Sequence, residues 1–136
     1  MEQGTIPDTQ PDHPLNRLIN RYWLGPPHPV ARRLNEGDEV AGFKVLHVPG
    51  HSDGHVALWR ESDRALVVGD VLTNVNMRTG RTELHEPQTF FTPDPARNRE
   101  SARRLAELEP ALVCFGHGPP LRDPRKLREF TSQLAS

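Results

Sequence analysis

Val48-Pro49-Gly50-His51-Ser52-Asp53-Gly54-His55-Val56-Ala57-Leu58 carries the reading of this chain, because its logic recurs twice more along the sequence. The apolar stretch from Phe43 runs into Gly50 and His51. The stretch from Ala65 to Val68 runs into Gly69 and Asp70, and that from Ala111 to Phe115 runs into Gly116 and His117. Short apolar runs bounded by turn residues read as buried strands. A glycine at the strand end turns the backbone where a Cβ would clash. The next side chain is then held at a fixed place on the sheet edge. Two imidazoles and a carboxylate delivered in this way are donors of the zinc-binding type. His51, Asp70 and His117 are therefore the candidate ligand set.

The flanks sharpen the pattern into a resemblance. Val48 to Leu58 resembles the PGH(T/S)xGH turn and following strand of the metallo-β-lactamase-fold metallohydrolase superfamily, in its glyoxalase II-like branch. Val68-Gly69-Asp70-Val71-Leu72 resembles that family's GD strand end, and Phe115-Gly116-His117-Gly118-Pro119-Pro120 resembles its final GHG loop. The three motifs stand in the family's order from roughly Pro27 to the C-terminus. The resemblance implies an α/β (α+β) fold. This chain would form the C-terminal part of an αββα sandwich, one β-sheet layer with covering helices. It also implies a centre of two zinc ions, with iron or manganese acceptable to the same donors. His51 would complete the first metal site and His117 the second. Asp70 would bridge them, as metal ligand and catalytic carboxylate. In that family a metal-activated hydroxide attacks an ester, thioester, amide or phosphoester. His55 would support the turn without binding metal.

One part of the family pattern is missing. The chain contains no His-x-His anywhere, so the HxHxDH loop that gives family members four further ligands is absent. The only Asp-His pair is Asp12-His13, which would put Asp8 and Gln10 where two histidines belong. Asp12 or His13 reads better as the cap of a helix beginning at Pro14. With three of seven donors in sight, a truncated hydrolase domain is expected, weakly active or inactive alone. Its activity would need a complementary N-terminal half. The alternative is a non-catalytic binding or interaction module on a degenerate scaffold. A sheet face built for an absent layer also predicts self-association.

A length of 136 residues suits one domain with a modest core. The expected organisation is a flexible lead-in over residues 1–13 and a partial domain over 14–136. A formal net charge of −1 offers no electrostatic footing for nucleic acid or an anionic membrane. A small-molecule substrate remains the expected partner of an active form. Cys114 is the only cysteine, which excludes an internal disulfide, and its apolar run marks it as a small buried hydrophobe. The sequence has neither a long apolar run nor a basic start followed by a hydrophobic region, so a cytoplasmic location is expected.

Periodicity fills in the elements. Leu15, Leu18, Ile19, Tyr22 and Trp23 predict a helix over 14–23. Val30 to Leu34 is expected to pair with Glu39 to Val48 across Asn35-Glu36-Gly37-Asp38. Val56 to Arg60 and Ala65 to Val68 are the next strands. The polar stretch Val71 to Thr92, with His85 and Phe90-Phe91, reads as a cover over the site. Asp94-Pro95 and Asp123-Pro124 each start a helix. Ala102, Leu105 and Ala106 mark the buried stripe of the first, and Leu127, Phe130 and Leu134 that of the second. His47 is expected to be a strand side chain, and His28 and His85 to be exposed.

Overall fold

The computed structural model describes residues 29–135. The chain divides into two compact units, Met1–Arg33 and Leu34–Ser136, and the elements below belong to the second. The expected lead-in, the helix over 14–23, Asp12-His13 and His28 lie outside the described residues.

Five strands form one mixed sheet in the order β1 (Glu39–Val40), β2 (Phe43–His47), β3 (Val56–Arg60), β4 (Ala65–Gly69) and β5 (Leu112–Phe115). The first four pair antiparallel, and β5 joins β4 in parallel. A parallel neighbour needs a long crossover. Here the crossover carries helix α1 (Pro95–Ala106). Helix α2 (Pro124–Ser132) follows β5. Both helices begin as their sequences predict. The Asp94 side chain accepts from the Arg97 N–H at 3.0 Å, and Asp123 accepts from the Arg125 N–H at 3.0 Å. Each thereby satisfies a donor that the first turn leaves open, with proline in the first helical turn.

The expected hairpin at the start is corrected. Residues 30–34 form no strand, and the run 39–48 folds back on itself, with Val40 opposite Phe43. Ala41 and Gly42 take φ of 50° and 79°. Two consecutive left-handed residues make the tight two-residue turn whose twist suits a hairpin. The Ala-Gly step outweighed the polar Asn35–Asp38 stretch as the reversal point.

Alternation along the strands gives the sheet two unlike faces. Leu46, Ala57, Leu66, Val68 and Val113 join Ala102, Leu105, Ala106 and Leu127 in one buried cluster, so both helices lie on that face. Phe130 and Leu134 pack at its margin, as the spacing of α2 predicts. Full burial of a leucine such as Leu66 or Leu105 contributes about 1.5–3 kcal/mol. The opposite face carries Leu58, Val67 and Cys114 in register. All three are half-buried, so Cys114 is less enclosed than its apolar run suggests.

Candidate metal centre

Strand direction explains how distant residues meet. Since β3 runs against both β2 and β4, and β5 runs with β4, the strands β2, β4 and β5 all point the same way. Their C-terminal ends share one edge of the sheet. His51 follows β2, Asp70 follows β4 directly, and His117 lies just beyond β5. The recurring strand–glycine–ligand pattern is thus one edge visited three times.

The Asp70 carboxylate stands between the two imidazoles. Its Oδ1 lies 2.9 Å from His117 Nδ1, and its Oδ2 lies 4.0 Å from His51 Nε2. The first is a charge-assisted hydrogen bond with the imidazole donating. The second is too long for one. Glycine makes room for the carboxylate: a Cβ on Gly116 would fall 2.2 Å from Asp70 Oδ1. Burial holds the His51 pKa below the usual histidine value, helped by neighbouring His55 and His117 against the pull of Asp70. The shift favours the neutral imidazole, the form that donates a lone pair to a metal.

A second ring of contacts fixes this geometry. His55 does not reach the carboxylate; its Nε2 accepts the Asp70 backbone N–H at 3.2 Å, the supporting part its motif implies. Helix α1 acts as a jig. Ser101 Oγ donates to the Pro49 carbonyl at 2.8 Å, and Asn98 Nδ2 donates to the Val71 carbonyl at 2.9 Å. These two buried polar residues pin the chain two positions before His51 and one after Asp70. Thr92 reaches His51 itself, with Oγ1 3.3 Å from Nδ1. The His117 carbonyl accepts the Asn74 N–H at 3.0 Å, tying the last loop to the long one.

None of Thr92, Asn98 and Ser101 stands out in the sequence reading. A signal existed for two of them, since Asn98 and Ser101 share the helical face of Ala102 and Leu105. Replacing Ser101 with alanine is expected to cost about 1 kcal/mol, because the Pro49 carbonyl loses its donor in a partly buried place. A lowered midpoint in urea unfolding with an unchanged slope would register it.

His47 and His85 are the two further histidines among the described residues. His47 belongs to β2, with its ring nitrogen 2.6 Å from the Asp53 carbonyl. His85 in the long loop is partly exposed and pairs with Glu83 at 3.0 Å. Its backbone bridges to Thr73, so the loop is fastened rather than free.

The sequence profile of the metallo-beta-lactamase superfamily matches residues 4–117. The chain belongs to that superfamily. A probable metallo-hydrolase of Bacillus subtilis, YflN, is 37% identical over 97 residues, which are 67% of this chain and 36% of that protein. Among solved structures, the metallo-beta-lactamase family protein TTHA1429 of Thermus thermophilus superposes with a TM-score of 0.61 at 28% identity, covering 90% of this chain and 40% of that one. TTHA1623, solved in a di-iron-bound form, gives a TM-score of 0.54 at 40% identity, covering 71% of this chain and 45% of that one. The chain spans about a third of the length of the curated relatives it matches.

Metal dependence is the superfamily's property, and the donor chemistry here fits it. Two imidazoles flank one carboxylate, and each carboxylate oxygen faces a different ring. Among the described residues, however, no three histidine, cysteine, aspartate or glutamate side chains are already closed around one point. Asp70 Oδ1 is instead engaged by His117.

Proposed function

We propose that this chain is a metal-dependent hydrolase domain whose metal donors are His51, Asp70 and His117. The observation that carries the reading is the Asp70 carboxylate between two histidines, one oxygen toward each. A carboxylate so placed suits a bridge between two metal positions, with His51 serving one and His117 the other. Zinc is the metal we favour. Iron or manganese would suit the same donors, and the di-iron form of TTHA1623 makes iron a serious candidate. A bound divalent ion supplies the charge that lowers the pKa of water and offsets negative charge developing on a hydrolysed ester, thioester, amide or phosphoester. The chain's own residues do the rest. His51 offers a neutral nitrogen, His55 and α1 hold Asp70 and His51 in place, and His117 orients the carboxylate through Nδ1.

Three donors do not make a two-ion centre. We infer that the isolated chain binds metal weakly and hydrolyses little. The four missing donors would come from a complementary N-terminal half carrying the HxHxDH pattern. The half-buried apolar row Leu58, Val67 and Cys114 faces away from α1 and α2. It is a suitable surface for such a half, or for self-association. A small-molecule substrate, no nucleic acid and a cytoplasmic setting complete the reading; no helix among the described residues is long and apolar enough to cross a membrane.

A second reading has its own support. The Asp70–His117 hydrogen bond pairs one carboxylate oxygen with one ring nitrogen without metal, as a non-catalytic interaction module would need. Zinc titrated into the metal-free chain decides between the two, measured beside a His51→Ala/His117→Ala variant. Metal held by the wild type and lost in the variant supports the hydrolase reading. No metal in either protein, with stable folding, favours the module.

A further inference from the structure

Thr92 carries information that its place at the end of a polar loop conceals. It is only 3% exposed, and its Oγ1 meets two groups. One is the Gln88 carbonyl at 3.1 Å, the other His51 Nδ1 at 3.3 Å. A hydroxyl has one proton to give, and a carbonyl oxygen can only accept. The Thr92 proton therefore goes to Gln88. Toward His51 the hydroxyl oxygen presents a lone pair, so Nδ1 must carry the proton of that contact. The other ring nitrogen, Nε2, is left unprotonated and faces Asp70 Oδ2 at 4.0 Å.

Electrostatics alone would choose the other tautomer. A proton on Nε2 would point toward the negative carboxylate of Asp70 and be attracted to it. At 4.0 Å no hydrogen bond forms to reward that choice, while a buried hydroxyl facing an unprotonated Nδ1 would set two lone pairs against each other. We propose that Thr92 is a positioning residue. It locks His51 in the Nδ1–H tautomer and so keeps the Nε2 lone pair directed at the edge where Asp70 stands. The lock is anchored in the loop, because Gln88 also accepts the Phe91 N–H at 2.9 Å around the single-turn 3-10 helix Thr89–Phe91. The conformation of residues 88–92 thus sets the donor state of a histidine 41 positions away. The consequence for metal binding rests on the reading of His51 as a ligand; the tautomer itself does not.

The test reads the tautomer directly on the metal-free chain. Long-range proton–nitrogen NMR of the 15N-histidine-labelled protein separates Nδ1–H from Nε2–H imidazoles, at about pH 8, above the ordinary histidine pKa of about 6.5. The wild type is expected to show His51 as Nδ1–H. Thr92→Val, which keeps the shape and removes the hydroxyl, is expected to move His51 toward Nε2–H, and Thr92→Ser to restore the wild-type signal. Zinc titrated into the same samples is expected to bind Thr92→Val about 10- to 100-fold more weakly than wild type, the usual effect of losing such an outer partner. Thr92→Ser should bind close to wild type. A wild-type His51 found as Nε2–H overturns the proposal, and this result needs no variant to fold. An unchanged tautomer in Thr92→Val overturns it too, whatever zinc does. A tautomer switch with no zinc taken up by either protein upholds the positioning role and removes only the metal reading.

Discussion

Gly50→Ala is expected to damage the fold severely. A Cβ at this position would lie 2.3 Å from the Asn98 backbone nitrogen, 2.4 Å from its Cα and 2.6 Å from its Cβ. These are atoms of the first turns of α1, so no side chain can swing aside to make room. The backbone adds a second penalty, because φ at Gly50 is +132°, a region that residues with a Cβ rarely enter. Strained backbone of this kind costs about 1–3 kcal/mol, and forced overpacking costs about another 1–3 kcal/mol. Small domains have roughly 5–15 kcal/mol in total. The two penalties also fall on one joint, where the Asp94 N–H donates to the Gly50 carbonyl at 3.2 Å and Ser101 grips Pro49. Gly54→Ala is the matched control in the same turn, since nothing lies within 4 Å of its added Cβ. Urea unfolding of both should show Gly50→Ala strongly destabilised or unfolded and Gly54→Ala near wild type. Equal midpoints would mean that α1 does not abut the turn as described.

That joint shows what the sequence makes legible and what it does not. The turn before His51 could be read because strand, glycine and histidine are neighbours, and the same local logic located Asp70 and His117. The helix starts at Asp94-Pro95 and Asp123-Pro124 were legible for the same reason: cap and proline act within a few residues. Pairing was harder. Ala41-Gly42 competes with Asn35–Asp38 as a turn, and only the φ values of Ala41 and Gly42 settle where the chain reverses. Hardest were Thr92, Asn98 and Ser101. Each is an ordinary polar residue until the fold brings a distant partner to it. The partner of Asn98 is Val71, that of Ser101 is Pro49, and that of Thr92 is His51. A polar residue on an apolar helical stripe, as at 98 and 101, is the trace such contacts leave in sequence. A lone threonine in a loop leaves none.

Gly116→Ala is the second large effect, and it separates site from scaffold. Gly116, unlike Gly50, does not adopt positive φ, so alanine fits its backbone. The added Cβ meets Asp70 Oδ1 at 2.2 Å and Cγ at 3.0 Å, while the nearest backbone atom, the Gly69 carbonyl carbon, is at 3.4 Å. The group that must yield is the end of a rotatable, partly exposed carboxylate. Stability should therefore fall by only about 1 kcal/mol, within the range of ordinary substitutions. The carboxylate, however, would be turned away from His117 and lose its place between the two imidazoles. If Asp70 is the shared ligand, Gly116→Ala should lose metal nearly as completely as Asp70→Ala does, while melting within a few degrees of wild type. Elemental analysis beside a thermal melt measures both quantities on one preparation. Undiminished metal in Gly116→Ala would detach Asp70 from the centre, and with it the reading of this sheet edge as a metal site. Lost metal in a protein that still folds would place the carboxylate at its middle, because Asp70 Oδ1 is the atom that the added methyl group meets first.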